Sequence, residues 1–79
     1  MPRMTKKAER DLEQLPPALR AKAEALIARL DQEPALGKKL LGSLADLRSA
    51  RLGRSHRIIY TVRPEVAVLA ISPRKDAYR

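Results

Sequence analysis

The segment from Leu47 to Tyr60 (LRSARLGRSHRIIY) constrains the fold more than any other part of the chain, because it has the pattern of a β-hairpin. Two short strand-like runs flank Gly53, and glycine adopts tight-turn conformations without a steric penalty. A three-residue loop over residues 53–55 places Arg51 directly opposite Arg57 on neighbouring strands. The sequence therefore predicts a hairpin that presents two arginines on one face.

Two directly opposed arginines are unfavourable in a free hairpin, because like charges across an antiparallel pair repel each other. An anion bound between Arg51 and Arg57 would remove this repulsion. The alternative is a solvated basic hairpin whose two side chains point apart, since exposed arginine is common. The pair alone does not decide between these interpretations.

The length of 79 residues limits the chain to one small domain, and we expect that domain to span residues 1–79. The sequence contains no cysteine, which is consistent with a reducing cytoplasm. Its longest apolar run, Val66 to Ile71, is too short to cross a membrane, and the N-terminus lacks the apolar segment of a signal peptide. These features predict a soluble cytoplasmic protein that binds no membrane.

The charge balance predicts an anionic partner. The formal net charge is +8, from 17 Lys and Arg against 9 Asp and Glu. Beyond residue 43 all basic residues except Lys75 are arginines. The planar guanidinium of arginine is well suited to binding phosphate. The only aromatic residues are Tyr60 and Tyr78, so the chain is not a base-stacking platform. A nucleic acid bound through its phosphates, or an acidic protein segment, fits this composition.

Two helices are predicted before residue 34. Thr5 is a helix N-cap candidate, and a narrow apolar stripe of helical spacing follows it. Pro16 and Pro17 end this helix, and Pro17 also suits the first turn of the next one. The second helix carries a wider apolar stripe and ends before Pro34. The stripes consist of Ala8, Leu12 and Leu15, then Leu19, Ala23, Leu26, Ile27 and Leu30.

The second half predicts an antiparallel meander. Residues 34–46 are expected to form a connection with a basic tip at Lys38 and Lys39, and strands are expected at 47–52, 56–62 and 66–72. The predicted fold class is α+β, with an N-terminal helical hairpin packed on a small antiparallel sheet.

Pairing Val62 with Val66 assigns the faces of the last two strands. The face expected to meet the helices carries Ile58, Tyr60, Val68 and Ala70, and the opposite face carries Arg57, Ile59, Leu69 and Ile71. Because the last strand is apolar on both sides, the second face should be partly covered. We expect a cleft there, lined by Arg51 and Arg57.

The C-terminal segment could contribute to this cleft. Pro73 stops strand pairing, and Arg74 and Tyr78 follow with a spacing of four residues. If the segment turns back over the open face, it brings a third arginine and a phenol to the cleft. The alternative for Tyr78 is a ring that covers the sheet edge.

The order of these features resembles the RelE/ParE superfamily of type II toxin-antitoxin toxins. The resemblance covers nearly the whole chain, and it rests on short motifs whose order and spacing match. The motifs are AERDLEQL from Ala8 with the following proline, KLLGSL from Lys39, Arg51 to Gly53, HRIIY from His56, and RKDAY from Arg74.

The resemblance implies a function closer to the RelE ribonuclease branch. Toxins of the RelE kind bind in the ribosomal A site and cleave mRNA with basic residues and a tyrosine. By position, Arg51 and Arg57 match basic residues of the second and third family strands, and Arg74 and Tyr78 match the C-terminal pair. These four are the predicted catalytic residues.

The chain departs from the family pattern at two places. Ser49 stands where some ribonuclease members carry a second basic residue, unless Arg48 or Arg54 replaces that charge. The first family strand is largely missing, which would expose a sheet edge. The predicted RNA-binding residues are Arg48, Arg54, Lys38, Lys39 and Lys75.

RNA cleavage without metal proceeds by attack of a 2′-hydroxyl on the adjacent phosphate. Arginines stabilise the developing charge but stay protonated, so they are poor bases. Tyr78 is therefore the candidate for proton transfer, with nearby positive charge favouring its ionised form. Strand alternation places His56 on the face opposite Arg57, at the turn, and we expect it to make a turn or cross-strand contact.

We expect no cofactor and no metal site, because the chain has one histidine and no cysteine and its acidic residues show no ligand spacing. The expected partners are a cognate antitoxin and mRNA on the ribosome. Two other functions remain open: a ParE-like inhibitor of DNA gyrase without catalytic activity, and an inactive nucleic-acid-binding copy.

Overall fold

The structure is a computed structural model that describes residues 2–40 and 47–73. Within these ranges it contains five strands and two helices. They are β1 (Arg3–Met4), α1 (Lys6–Glu13), α2 (Pro17–Leu30), β2 (Lys38–Lys39), β3 (Leu47–Leu52), β4 (His56–Thr61) and β5 (Ala67–Pro73). The strands form one sheet in the order β1-β5-β4-β3-β2.

The helix boundaries follow the predicted capping residues. The Thr5 hydroxyl accepts a hydrogen bond from the Ala8 N–H at 3.1 Å, which satisfies one of the free donors in the first turn of α1. Pro17 occupies the first turn of α2, where its missing N–H has no helical partner to lose. The predicted helical hairpin is therefore confirmed.

The core lies between the two helices and one face of the sheet. Helix α1 packs mainly on β5, and α2 packs on β3. The buried core side chains are Ala8, Leu15, Ala23, Ile27, Leu30, Ala50, Leu52, Ile58, Tyr60, Val68 and Ile71. This arrangement confirms the predicted α+β class. Within the described residues, neither helix is long and apolar enough to cross a membrane.

Two short edge strands extend the predicted meander. Strand β1 runs parallel to β5, with Arg3 opposite Ala67 and Met4 opposite Val68, so the sheet is mixed. Strand β1 has two residues. The prediction of a simple connection at Lys38 and Lys39 was wrong, because these residues form β2 and pair with β3.

A β-bulge in β5 changes the predicted faces of its second half. The expected register holds at Tyr60, which pairs with Val68. Between Tyr60 and Ile59 the register shifts by one residue, so that Ile58 pairs with Ile71 instead of Ala70. Leu69 is the extra residue of the bulge. Ile71 therefore lies in the core, and Ala70 pairs with Ile59 on the second face. The prediction placed Ala70 on the helix side and Ile71 on the second face, which was wrong for both residues, because strict alternation does not allow for a bulge.

Thr5 and helix α1 bind backbone polar groups of β5 at and beyond the bulge, along the edge where β1 pairs. The Thr5 hydroxyl donates to the Leu69 carbonyl at 2.8 Å. The Asp11 carboxylate accepts from the Ile71 N–H at 3.0 Å. Strand β1 covers only the start of this edge of β5, so these two side chains satisfy backbone groups farther along it.

Candidate functional site

Arg51 and Arg57 lie directly opposite each other in the β3–β4 ladder, as the sequence predicts. The turn between them contains Gly53, whose φ of 61° lies in the left-handed region that glycine adopts without strain. Arg51 is exposed, whereas Arg57 is half-buried. An Arg57 guanidinium nitrogen (Nη1) lies 3.5 Å from the Ser49 hydroxyl, at the limit of a hydrogen bond.

These side chains line a cleft on the sheet face opposite the helices, which we call the arginine cleft. Its volume is about 200 Å³, and its lining residues are Leu36, Gly37, Lys38, Ser49, Arg51 and Arg57. Among these described lining residues, three are cationic and none is acidic. The cleft confirms the prediction that Arg51 and Arg57 line a space on the second face.

The sheet register explains why Lys38 joins the arginines. Lys38 pairs with Ser49, and directly opposed residues of an antiparallel pair point to the same face. Ser49 is two residues before Arg51, so it also points to that face. Lys38, Ser49, Arg51 and Arg57 therefore converge on one side of the sheet, where the three cations favour binding of an anion.

One wall of the arginine cleft is held from the core side. The hydroxyl of Tyr60, a fully buried residue, donates to the Pro34 carbonyl at 2.9 Å and accepts from the Gly37 N–H at 2.7 Å. An Arg48 nitrogen (Nη1) donates to the Gly37 carbonyl at 2.9 Å. These three hydrogen bonds fix residues 34–37, which we call the wall segment, against β3 and β4.

Gly37 is required for the close approach of the wall segment to the sheet. A Cβ atom at this position would lie 2.7 Å from the Ser49 backbone oxygen and 2.9 Å from Tyr60 Cε1. The first contact is impossible without movement of the backbone, and the second is impossible without movement of the Tyr60 ring. The absence of a side chain at Gly37 therefore sets the distance between the wall and the arginines.

The other predicted RNA-binding residues are distributed differently. Lys39 pairs with Arg48, and both lie on the face opposite Lys38. The Arg48 guanidinium is part of the wall contacts rather than of the cleft lining. Arg54 is exposed in the hairpin turn. The predicted residues Arg74, Lys75 and Tyr78 lie outside the described residues.

His56 lies away from the arginine cleft. It pairs with Leu52 at the turn, and its Nδ1 atom lies 2.7 Å from the Ser55 hydroxyl. It borders a separate depression on the helix side, together with Asp11 and Pro73. This position agrees with the predicted turn or cross-strand contact. Across residues 2–40 and 47–73, no group of three His, Asp or Glu side chains could hold a metal ion.

Sequence reasoning missed Tyr60 and Gly37 as residues that build the site. The signal for Tyr60 is its place on the inward face of a strand, because a buried tyrosine hydroxyl usually requires a hydrogen-bond partner. The sequence does not say which partner that is. Ser49, treated as the loss of a positive charge, lies in the cleft beside Arg57.

Comparison with known families decides the relationship of this chain to other proteins. The family model described as the ParE toxin of the type II toxin-antitoxin system parDE matches residues 3–78. The chain belongs to this family. It is thus a type II toxin-antitoxin toxin of the RelE/ParE superfamily. No match was found among curated protein sequences.

Solved toxin-antitoxin structures share the fold of this ParE-family toxin. A chain of the RelBE2 toxin-antitoxin complex from Mycobacterium tuberculosis is 37% identical, with a TM-score of 0.73 over 91% of this chain and 94% of that chain. A chain of the RelE-RelB complex from Pyrococcus horikoshii is 27% identical, with a TM-score of 0.73 and 91% coverage of both. The intact RelBE complex from Escherichia coli, at 21% identity and a TM-score of 0.73 over 89% of this chain and 90% of that chain, shares the fold.

Proposed function

We propose that this toxin is a metal-independent endoribonuclease that cleaves mRNA on the ribosome and thereby inhibits translation. The observation that carries the proposal is the arginine cleft, where Arg51, Arg57 and Lys38 line one space and none of the described residues that line it is acidic. A phosphodiester is an anion that matches such a site in charge and in hydrogen-bonding geometry. Similarity to RelE structures supports the same assignment.

The proposed reaction is attack of the 2′-oxygen on the adjacent phosphorus. The new O2′–P bond forms as the P–O5′ bond breaks, which leaves a 2′,3′-cyclic phosphate and a 5′-hydroxyl. The 2′-proton passes to a base, and the departing 5′-oxygen receives a proton. Arg51 and Arg57 hold the phosphate and neutralise the charge that builds on its oxygens. Arg74 stabilises the developing charge, and Tyr78 acts as the general acid or base in one of these two proton transfers.

The proposed partners are a cognate antitoxin and the mRNA in the ribosomal A site, and the proposed location is the cytoplasm. Three of the similar structures are toxin-antitoxin complexes, which supports the first partner. An antitoxin that carries acidic side chains would be attracted to the cationic cleft.

Inhibition of DNA gyrase is the second candidate function. The observation that favours it is the family model itself, which describes the ParE toxin. In that case the basic residues would serve only as a binding surface, and none of them would take part in bond cleavage.

Primer extension on a translated message, after induction of the toxin in cells, tests the proposal. We expect new cuts inside codons with the wild-type protein and none with Arg57→Ala. Tyr78→Phe should lower cleavage by about two to four orders of magnitude, the usual range for loss of a proton-transfer group. Arg10→Ala is the matched control, because Arg10 is an exposed arginine of α1 on the helix side of the sheet.

The outcomes separate the candidate functions. Cuts that persist in both site variants would contradict the assigned residues. Growth arrest without cuts would contradict ribonuclease activity, and a supercoiling assay with purified gyrase would then test the second candidate. Growth without arrest or cuts would contradict both.

A further inference from the structure

We infer that Tyr60 is a positioning residue for the arginine cleft, which it controls from the core by fixing the wall segment and, through it, Lys38. The inference rests on the proposed function in one respect, since it takes the bound anion to be an RNA phosphate. Tyr60 itself is fully buried, so its hydroxyl touches no RNA.

The hydroxyl of Tyr60 joins the wall segment to β4, and the Arg48 guanidinium joins the Gly37 carbonyl to β3. The Tyr60 hydroxyl uses both of its hydrogen-bonding capacities on that segment, as a donor to Pro34 and as an acceptor from Gly37. The segment is otherwise exposed from Pro34 to Leu36. Few apolar contacts hold an exposed segment, so its position depends strongly on these hydrogen bonds.

Lys38 follows the wall segment directly and is the first residue of β2. This strand has only two residues, Lys38 and Lys39, and it lies at the edge of the sheet. A strand of this length has few ladder bonds to fix its position. The position of Lys38 therefore depends on Gly37, whose N–H donates to Tyr60 and whose carbonyl accepts from Arg48. Among the described residues, Tyr60 supplies the only hydrogen bond on the N–H side.

Arg51 and Arg57 do not depend on Tyr60 in the same way. They lie in the hairpin, where β3 and β4 pair over their full length of six residues each. Loss of the Tyr60 hydroxyl should therefore leave the two arginines in place and displace only the third cation. This difference gives Tyr60 a specific experimental signature.

The signature is the salt dependence of RNA binding. Each phosphate contact that a cation makes with single-stranded RNA contributes about 0.7 to the slope of log K against log salt concentration. Tyr60→Phe removes no charge. If Tyr60→Phe reduces the magnitude of the slope by about 0.7, as Lys38→Ala should, then a cation other than the substituted residue has lost its phosphate contact.

The experiment measures binding of a fluorescein-labelled 2′-O-methyl RNA oligonucleotide by anisotropy at several salt concentrations. This probe has no free 2′-hydroxyl, so it binds without being cleaved. We expect Tyr60→Phe and Lys38→Ala to weaken binding most at low salt. Between about 50 and 200 mM salt, each variant should lose roughly threefold less affinity than the wild type, the share of one phosphate contact. The double variant should be no weaker than Lys38→Ala alone, because both substitutions remove the same contact.

Ile27→Val is the matched control for a general loss of stability. Ile27 is a fully buried residue of α2 and does not line the cleft. The substitution should lower the free energy of unfolding by about 0.5–1.5 kcal/mol. We expect its salt slope to equal that of the wild type. Equal slopes for Tyr60→Phe and wild type would overturn the inference, as would additive effects in the double variant.

Hydrogen exchange of the wild-type protein gives an independent test of the same contact. The Gly37 amide should be protected, because it donates to the buried Tyr60 hydroxyl. Exchange at the rate of an open loop would overturn the inference even if Tyr60→Phe fails to fold. A wild-type protein without affinity for the RNA probe would overturn this inference, whereas cleavage on the ribosome is tested separately by primer extension in cells. A wild type that binds the probe but cleaves no message would contradict only the ribonuclease activity.

Discussion

Arg51 and Arg57 occupy directly opposed positions on neighbouring strands, and both side chains line the same cleft. Opposed like charges in an antiparallel pair are unfavourable, whereas favourable cross-strand pairs contribute roughly 0.2–1 kcal/mol. Ser49 is a neutral neighbour of Arg57 at 3.5 Å. The opposed positions of the two arginines predict a repulsion that a bound phosphate would reduce.

Replacement of Arg51 should separate stability from binding. We expect Arg51→Thr to leave the free energy of unfolding unchanged or to raise it by up to about 0.5 kcal/mol, because it removes the repulsion and introduces a β-branched residue into a strand. RNA affinity should fall in the same variant. Urea denaturation and anisotropy measure the two effects. The stability control is Arg54→Thr in the exposed turn, which should show no gain. A loss of more than 1 kcal/mol for Arg51→Thr would show that the pair is not repulsive.

A methyl group at Gly37 should displace the wall segment. The new Cβ of Gly37→Ala would lie 2.7 Å from the Ser49 oxygen, a backbone atom that cannot move freely. We expect a loss of about 1–3 kcal/mol, typical of overpacking, together with weaker RNA binding. NMR chemical-shift changes should centre on Ser49 and Tyr60.

Gly53→Ala is the comparison for this variant. Its Cβ would meet only Leu19 Cδ1 at 3.6 Å, so the expected loss of about 1 kcal/mol comes from the positive φ instead. Its shift changes should centre on the hairpin turn. Identical shift patterns for the two variants would contradict the close approach at Gly37.

The Asp11 carboxylate should contribute to stability mainly through the Ile71 N–H. Asp11→Ala removes the acceptor of this part-buried donor, and we expect a loss of about 1–3 kcal/mol in thermal unfolding. Lys7→Ala is the matched control, because it removes the other partner of the same carboxylate, at 3.0 Å, and leaves the strand contact intact. Its cost should be about 0.3–0.5 kcal/mol, the value for an exposed i,i+4 pair. Equal losses in the two variants would contradict the importance of the strand contact.

The Thr5 hydroxyl joins the start of α1 to the bulge in β5, so its removal should affect both elements. Thr5→Ala should lower the unfolding free energy by about 1–2 kcal/mol, the upper part of the range for a lost N-cap. Thr5→Ser keeps the hydroxyl and should retain most of the stability. Hydrogen exchange at Ala8 reports on the cap. Unchanged exchange in Thr5→Ala would argue against a capping role.

The hairpin was predictable because its determinants are local. Gly53 and a three-residue loop set the register, and that register placed Arg51 opposite Arg57 before any tertiary contact was considered. The capping by Thr5 and the start of α2 at Pro17 were predictable for the same reason. Each depends on residues within a few positions along the chain.

The candidate site was predictable in part. Its two arginines follow from the hairpin, but the correct choice between Lys38 and Lys39 required the pairing of β2 with β3. The contribution of Tyr60 required the position of the wall segment, which lies more than twenty residues earlier in the sequence. The roles proposed for Arg74 and Tyr78 stay predictions from the family resemblance.

The sequence by itself determined the two helices, the hairpin register and the cationic character of the second face, because apolar periodicity, capping residues and turn residues act over short distances. Only the tertiary structure decided the bulge at Leu69, the parallel pairing of β1 with β5 and the closure of the cleft by the wall segment. These features join residues that are distant in sequence. They are stabilised by hydrogen bonds of backbone groups and buried hydroxyls, and these hydrogen bonds form only when the helices have packed on the sheet.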